Sequence, residues 1–141
     1  MPTDADSFLN NPQIQQTLQT VATGLNANVN FVGAHTSMES GWLNAHNARL
    51  NNLFGLTRDG GRNLSFPSLA ASGQAYINAA AVNGVNPTKV YGATTIQQFA
   101  NQLQSPDPYR YNSVDIKGYS DKLIKQYNYY MRMVYNCQLV Q

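Results

Sequence analysis

HTSMESGW at His35–Trp42 and NNLFGL at Asn51–Leu56 are the stretches around which this chain is organised. Glu39, in the first of them, is the only glutamate among 141 residues, in a chain that holds 17 Asn and 12 Gln. Uncharged amides supply most of the polarity, so a single Glu beside a Gly-Trp pair needs an explanation. Glu39 is therefore the first candidate for a functional residue.

The surroundings of Glu39 suit a proton donor. A carboxylic acid donates a proton near neutral pH only when an apolar, partly dry setting raises its pKa. Glu39 lies at the predicted C-terminal end of a helix, where the negative end of the helix dipole disfavours another negative charge. Met38, Trp42, Leu53 and Phe54 place apolar side chains nearby in sequence. Both effects predict a raised pKa; the alternative is a Glu that merely caps or pairs at the surface.

Length and composition indicate one compact domain over residues 1–141, with residues 1–10 as a flexible lead-in. The chain is 43% hydrophobic and only 11% charged, which is apolar enough to fold. Residues 1–48 hold three acidic residues and no Lys or Arg, whereas residues 49–141 hold all nine Lys and Arg and four acidic residues. The basic half suits an anionic polymer. The basic residues do not cluster on one element, however, so we expect no nucleic acid partner.

Export signals are missing from the sequence. The N-terminus, MPTDADSFLNNPQ, lacks the basic and apolar regions of a cleavable secretory signal. No apolar run approaches the ~20 residues that a membrane span needs. Cys137 is the only cysteine, so no intrachain disulfide is possible. If the protein acts outside the cytoplasm, we expect export without a cleavable signal; otherwise the chain is a fragment of a longer protein.

Apolar spacing predicts an α-dominated fold with about five helices. The first helix has Asn11 as its cap and Pro12 as its first residue, and it ends at residue 24 or 25. The second runs from residue 28 or 30 to residue 39 or 40, where Gly41 ends it. Gly33, inside the second helix, would allow another helix to approach closely.

The middle of the chain is less regular. Residues 43–66 show no convincing helical period, and the turn signal of Asp59-Gly60 predicts a small β-hairpin or ordered loop at residues 57–65. A loop rich in Asn, Gly and Pro is predicted at residues 82–88. The remaining helices are predicted to begin at Ser65 or Pro67, at Thr94 with Gln97 completing a capping box, and near Tyr119, the last reaching Asn136.

The two opening motifs resemble the signature of a known enzyme family. Residues 38–42, Met-Glu-Ser-Gly-Trp, and residues 51–56, Asn-Asn-Leu-Phe-Gly-Leu, are similar to the Glu-Ser-Gly-Trp-Gly and Asn-Leu-Phe-Gly-Ile motifs of the bacterial endo-β-N-acetylglucosaminidases, glycoside hydrolase family 73. These are lysozyme-like peptidoglycan hydrolases. Leu43 stands where the family usually has Gly.

A weaker likeness continues downstream and extends over residues 29–130. Phe66–Leu69 resembles the family's Tyr-x-Ser-Leu stretch, with Phe in place of Tyr. Residues 111–123, YNSVDIKGYSDKL, resemble the family's Tyr-Ala-Thr-Asp-Pro-x-Tyr-Ala-x-Lys-Leu segment but are two residues longer.

The resemblance implies roles for individual residues. Glu39 takes the role of general acid, and Tyr119 that of the active-site tyrosine, which bonds the N-acetyl group or holds the reacting sugar. A core tyrosine is the alternative for Tyr119. A cleft is expected between the first two helices and residues 57–65, with Asn52, Leu53 and Phe54 as its floor. Phe54 would pack there, and Asn52 would bond either the backbone or a sugar. Trp42, by stacking, and Tyr111 are also expected to contact substrate. Trp42 is as readily explained as a core residue.

The second catalytic group stays open. An inverting glycosidase places a base ~6.5–9.5 Å from the acid, and a retaining one places a nucleophile ~5 Å away. Asp59 is a catalytic candidate, although an Asp-Gly pair is also a common turn. Asp115 more naturally caps the last helix. The substrate's own 2-acetamido group could replace the second carboxylate, and a lytic transglycosylase would need only one acid.

The resemblance thus implies an α-rich, lysozyme-like domain that hydrolyses the β-1,4 bond between N-acetylglucosamine and N-acetylmuramic acid in peptidoglycan, without a cofactor. The alternatives are a muramidase, a lytic transglycosylase, or a non-catalytic carbohydrate-binding module that uses the tyrosines of the last helix. His35, Glu39 and His46 do not have the His-Glu-x-x-His spacing of a zinc site, so no metal is expected.

Size, the missing signal and the wall-degrading motif suggest an exported antibacterial effector, a toxin acting in the periplasm or at the cell wall. Its expected partners are peptidoglycan glycan strands and a cognate immunity protein that blocks the cleft. A phage lysis component, or a fragment of an autolysin or flagellar protein, would have a similar sequence.

Overall fold

A computed structural model describes residues 4–57, 61–81, 90–104, 111 and 116–140. The predicted mainly α fold is confirmed. Within the described residues there are seven helices and no strand: α1 (Asp4–Asn10), α2 (Pro12–Leu25), α3 (Val29–Ser40), α4 (Ala45–Arg49), α5 (Leu69–Ala81), α6 (Ile96–Leu103) and α7 (Ile116–Val140). None of the helices searched in these ranges is long and apolar enough to cross a membrane.

The ends of α2 and α3 follow the predicted capping chemistry. The Asn11 side chain accepts hydrogen bonds from the backbone N–H groups of the first turn of α2, and Pro12 is its first residue. Asn28 caps α3 in the same way. Gly41 ends α3 with a φ of 58°, a left-handed conformation that glycine adopts without steric cost.

Two helices differ from the sequence prediction. Residues 1–10 are predicted to be a flexible lead-in, but residues 4–10 form α1, and its Phe8 is only 1% exposed. The second is α4, which Asn44 caps within the stretch predicted to lack helices. Helices of seven and five residues are too short to show a 3.6-residue apolar period, so neither can be recognised from spacing.

The later elements differ in detail from the prediction. Helix α5 begins at Leu69 rather than at Ser65 or Pro67. The side chain of Ser68, just before it, accepts a hydrogen bond from the Ala71 N–H. The cap of α6 is Thr95 rather than Thr94, because the Thr95 side chain accepts from the Gln98 N–H. Helix α7 extends beyond both predicted ends. The predicted loop at 82–88 lies outside the described residues.

The predicted excursion at residues 57–65 contains little β-structure in its described part. Thr57 and Asn63 form an isolated antiparallel bridge, which fits an ordered loop better than paired strands. The tip of this loop, residues 58–60, includes Asp59 and lies outside the described residues.

Helix α3 lies at the centre of the packing and carries Glu39 near its end. It contacts α2 on one side and α7 on another, and its residues 31–37 are all buried. Gly33 confirms the predicted close approach, because a Cβ atom there would lie 2.1 Å from the Tyr130 hydroxyl oxygen. Helix α5 packs mainly on α2, and α6 on α7. Helix α3, whose last turn carries Glu39, is therefore packed between α2 from the N-terminal half of the chain and α7 from the C-terminal half.

Candidate active site

The NNLFGL segment is an irregular loop that the side chain of Asn52 holds together. Asn52 is buried, and its amide nitrogen donates to the carbonyl oxygens of Leu56, at 2.8 Å, and Leu64, at 3.0 Å. Its amide oxygen accepts from the Leu56 N–H at 2.9 Å. Of the two expected roles for Asn52, bonding the backbone or bonding a sugar, these contacts match the first.

Gly55 places this loop against the end of α3. Its φ is 64°, and a Cβ atom at this position would lie 2.2 Å from the carbonyl oxygen of Glu39. Phe54, next to it, is buried and stacks on the Tyr76 ring with 4.0 Å between ring centroids. The two motifs of the sequence are thus in direct contact, and only a glycine fits at the point where they meet.

Glu39 and Tyr119 lie together although 80 residues separate them in sequence. The Tyr119 hydroxyl, near the start of α7, donates a hydrogen bond to Oε1 of Glu39, at the end of α3. The Glu39 side chain is 24% exposed, whereas Tyr119 is buried. This pair can present a carboxyl group to solvent while one of its oxygens is held from the protein side.

Behind this pair lies a residue whose part in the site the sequence does not predict. His35 is completely buried one helical turn before Glu39, and its Nε2 contacts the Tyr119 hydroxyl and lies 3.5 Å from Oε1 of Glu39. Its Nδ1 lies 2.5 Å from the hydroxyl oxygen of Tyr76. The i, i+4 spacing of His35 and Glu39 is the one available signal, but in the sequence it fits an ordinary buried or surface histidine better than a zinc ligand.

The network lowers the pKa of Glu39 below its usual value of 4.5. Burial has the largest single effect and raises this pKa, but the hydrogen bond and charge of His35, with the hydrogen bond from Tyr119, outweigh it. The expectation of a raised pKa is therefore wrong for the free protein. The apolar setting that led to this expectation is present. Among the groups that lower the Glu39 pKa, however, Tyr119 comes from a distant part of the chain.

The tyrosines around Glu39 are kept in their neutral form. Burial, followed by the negative charge of Glu39, raises the pKa of Tyr119 and that of Tyr111. Burial also raises the pKa of Tyr76. These phenols can therefore act as hydrogen-bond donors at neutral pH but not as bases.

The other predicted site residues have different positions. Tyr111 packs its ring against His35, with 4.7 Å between centroids, and so belongs to the same cluster. Trp42 packs inward, stacked on Tyr130 at 5.7 Å and edge-on to Phe8 at 5.3 Å, which are core contacts. Asp59 and Asp115 lie outside the described residues.

A groove with a cationic lining includes Met38, the neighbour of Glu39 in sequence, but its described lining does not include Glu39 itself. It has a volume of about 570 Å³, and its described lining is Met38, Lys122, Lys125, Gln126, Tyr129 and Arg132. The Arg132 guanidinium lies 5.7 Å from the centre of the Tyr129 ring. Another cavity, of about 550 Å³ between α2 and α5, is lined by uncharged side chains and includes neither Glu39 nor Tyr119.

No group of three or more metal-binding side chains occurs in the searched part of the chain, residues 4–57, 61–81, 90–104, 111 and 116–140. The candidate site is a carboxyl group, a phenol and an imidazole in one hydrogen-bonded cluster. Comparisons with known protein families, with curated proteins and with solved structures find no match to this chain.

Proposed function

We propose that the protein is a peptidoglycan hydrolase with a lysozyme-like fold, which cleaves the β-1,4 bond between N-acetylglucosamine and N-acetylmuramic acid. The observation that carries the proposal is the hydrogen bond from Tyr119 to Glu39. The family resemblance assigns catalysis to these two residues, and nothing in their local sequence requires them to touch. A buried phenol aimed at the only glutamate of the chain supports that assignment.

The arrangement suggests how the reaction would proceed. Oε1 of Glu39 is held by Tyr119, and among the described residues none is seen to bond Oε2. The protonated carboxyl group would transfer its proton to the glycosidic oxygen as the bond from that oxygen to the sugar's anomeric carbon breaks. The electron pair for the anomeric carbon would come from Asp59 or a water that it activates, or from the oxygen of the substrate's 2-acetamido group.

The cationic groove supports an anionic polymer as substrate. Peptidoglycan carries carboxylates on its peptide stems and on the lactyl groups that have no stem, and positive charge along a cleft attracts such chains. Lys125 and Arg132 line the same groove as Met38, which is the neighbour of Glu39 in sequence. A glycan strand bound at Glu39 could therefore place its acidic substituents along α7.

The experiment that tests this proposal is mass spectrometry of digested, purified peptidoglycan. New reducing ends on N-acetylglucosamine are the expected result. Reducing N-acetylmuramic acid would instead identify a muramidase, and 1,6-anhydro products a lytic transglycosylase. Glu39→Gln, which keeps the side chain's shape but cannot supply the proton, should abolish the products while circular dichroism remains that of the folded protein. Full activity in this variant would overturn the role of Glu39.

Delivery as an antibacterial effector, action in the periplasm or at the cell wall, and a cognate immunity protein that covers Glu39 stay predictions. An affinity purification with the Glu39→Gln protein from its native host should recover an immunity protein. A recovery that contains no specific binder would count against the effector hypothesis.

A further inference from the structure

His35 has the contacts of a residue that controls Glu39, rather than those of an ordinary core side chain. Both nitrogens of its buried ring are engaged, Nδ1 with the Tyr76 hydroxyl and Nε2 with the Tyr119 hydroxyl. Since Tyr119 bonds Glu39 in turn, four side chains form one chain of hydrogen bonds from the core to the carboxyl group. They come from α3, α5 and α7.

Counting donors gives this chain a direction. A phenol has one proton, and Tyr119 donates it to Oε1 of Glu39, so its oxygen must accept the proton that His35 carries on Nε2. The assignment of the proton to Nε2 follows from this count. If Nε2 carried no proton, it would itself be an acceptor and would compete with Glu39 for the Tyr119 proton.

We propose that His35 is the positioning residue of the site: its Nε2–H holds the Tyr119 hydroxyl in the orientation that donates to Oε1 of Glu39, and thereby sets the pH at which Glu39 gains its proton. The catalytic part of this statement rests on the proposed function. Its physical part, the coupling of His35 to the titration of Glu39, is independent of any activity.

Several titratable groups lie around this pair. Glu39 is approached by His35 on its own helix and by Tyr119 from α7. Tyr76, from α5, and Tyr111, which packs on the imidazole ring, are neutral phenols. The cationic side chains of α7 line the groove that includes Met38, namely Lys122, Lys125 and Arg132. Within the hydrogen-bonded cluster itself, His35 is the group that can bring a positive charge toward Glu39.

Direct observation of Glu39 tests the proposal. Because the chain has only one glutamate, glutamate labelled with ¹³C at the side-chain carboxyl gives a single resonance, whose pH titration reports Glu39 alone. In His35→Leu the Glu39 titration should move to higher pH, because the donor and any charge at this position are gone. In His35→Gln, whose amide nitrogen can donate from a similar place, the midpoint should return toward that of the wild type. An unchanged midpoint in a folded His35→Leu protein would overturn the proposal.

A measurement on the unmodified protein covers the case in which His35→Leu does not fold. With Glu39 ionised, ¹⁵N spectra of the imidazole should show a proton on Nε2 of His35. His46→Gln assigns the signals, since the chain has two histidines and His46 is exposed. An Nε2 without a proton would overturn the proposal, because Tyr119 could not then accept from it.

The two proposals fail separately. Cell-wall hydrolysis by Glu39→Gln would remove the proposed function and leave the coupling of His35 to Glu39 intact. A Glu39 titration insensitive to His35 would remove the positioning role and leave the hydrolase in place. Where both hold, the fall of kcat/KM with rising pH should occur at higher pH in His35→Leu than in the wild type, a change that a purely structural His35 would not produce.

Discussion

The carboxyl group of Glu39 is under two opposed influences. Burial raises its pKa, and the contacts with His35 and Tyr119 lower that pKa by more than burial raises it. The side chain still has 24% of its surface exposed. A sugar that covers this surface would remove the remaining water and strengthen the effect of burial, but only in the complex. A proton donor that is mostly ionised when free could in this way become protonated when substrate is bound.

We therefore expect two separate pH profiles for hydrolysis of soluble glycan fragments. The parameter kcat/KM reports the ionisation of the free enzyme, whereas kcat reports that of the complex. Both should fall about tenfold per pH unit above the relevant pKa of Glu39, because the acid must be protonated to act. The fall in kcat/KM should come at lower pH than the fall in kcat. If kcat/KM and kcat fell at the same pH, bound substrate would not change the Glu39 pKa.

The same pKa shift predicts how stability depends on pH. A carboxyl group with a lower pKa in the folded than in the unfolded protein stabilises the fold above its unfolded pKa, and this contribution is lost as the pH falls through the folded pKa. For Glu39 the loss should begin near pH 4.5, its usual value, and continue below it. Urea unfolding should therefore show a smaller loss of stability below pH 4.5 for Glu39→Gln than for the wild type. If both proteins lost the same amount of stability below pH 4.5, a lowered Glu39 pKa would be contradicted.

At the scale of elements, the contact between the NNLFGL loop and α3 depends on Gly55. An alanine there would place its Cβ atom 2.2 Å from the Glu39 carbonyl oxygen, and this neighbour is backbone that cannot rotate away. Gly92 is the matched control, since its φ of 72° is also left-handed but a Cβ atom added there would lie 3.8 Å from its nearest neighbour.

Alanine in the left-handed region costs about 1–2 kcal/mol at either glycine, and overpacking adds about 1–3 kcal/mol at Gly55 alone. In chemical denaturation, Gly55→Ala should thus lose clearly more stability than Gly92→Ala. Gly55→Ala should also lower activity, because the clash displaces the turn that carries Glu39. Equal losses of stability in the two variants would mean that the NNLFGL loop moves away from the Glu39 carbonyl oxygen at no energetic cost.

The packing of α3 on α7 makes a second element-scale prediction. A helical Gly→Ala exchange ordinarily gains about 1 kcal/mol, but at Gly33 the new Cβ atom would overlap the Tyr130 hydroxyl at 2.1 Å. Tyr130 is buried and stacked on Trp42, so the overlap should cost about 1–3 kcal/mol and reverse the gain. Gly24→Ala is the control, since it meets only the end of the Ile77 side chain at 3.1 Å. Thermal unfolding should show a lower Tm for Gly33→Ala than for Gly24→Ala.

At the scale of the whole molecule, local chemistry is predictable from the sequence and distant contact is not. The caps at Asn11 and Gly41 are predicted from the sequence because a cap acts within one helical turn. Helices α1 and α4 cannot, since their few residues depend on packing against the rest of the protein.

The site divides in the same way. The resemblance indicates Glu39 and Tyr119, and local chemistry identifies Glu39 as unusual. The links from His35 to Tyr76 and Tyr119 join residues 41 and 84 positions apart, and no local pattern encodes them. The sequence predicts the effect of burial on the Glu39 pKa correctly and the direction of the pKa shift wrongly, because it shows neither that His35, one helical turn away, contacts Glu39 nor that Tyr119 donates to it.

Phe8 gives the whole-molecule prediction, because it connects the N-terminal helix to the packing between α3 and α7. Its ring meets Trp42 edge-on at 5.3 Å and Tyr130 at 6.4 Å, with 1% of its surface exposed. Removing such a ring costs about 3–5 kcal/mol in other cores. Phe8→Ala should lower the free energy of unfolding by about this amount and shift the emission of Trp42, the only tryptophan, to longer wavelength as water reaches its ring.

Ser7→Ala is the control for Phe8→Ala, since Ser7 is exposed on the same helix. It should leave both the unfolding free energy and the Trp42 emission close to those of the wild type. If Phe8→Ala behaved like Ser7→Ala in both measurements, α1 would contribute nothing to the core. A red shift with a large loss of stability would instead establish that Phe8 anchors α1 to Trp42, at the end of α3, and to Tyr130 on α7.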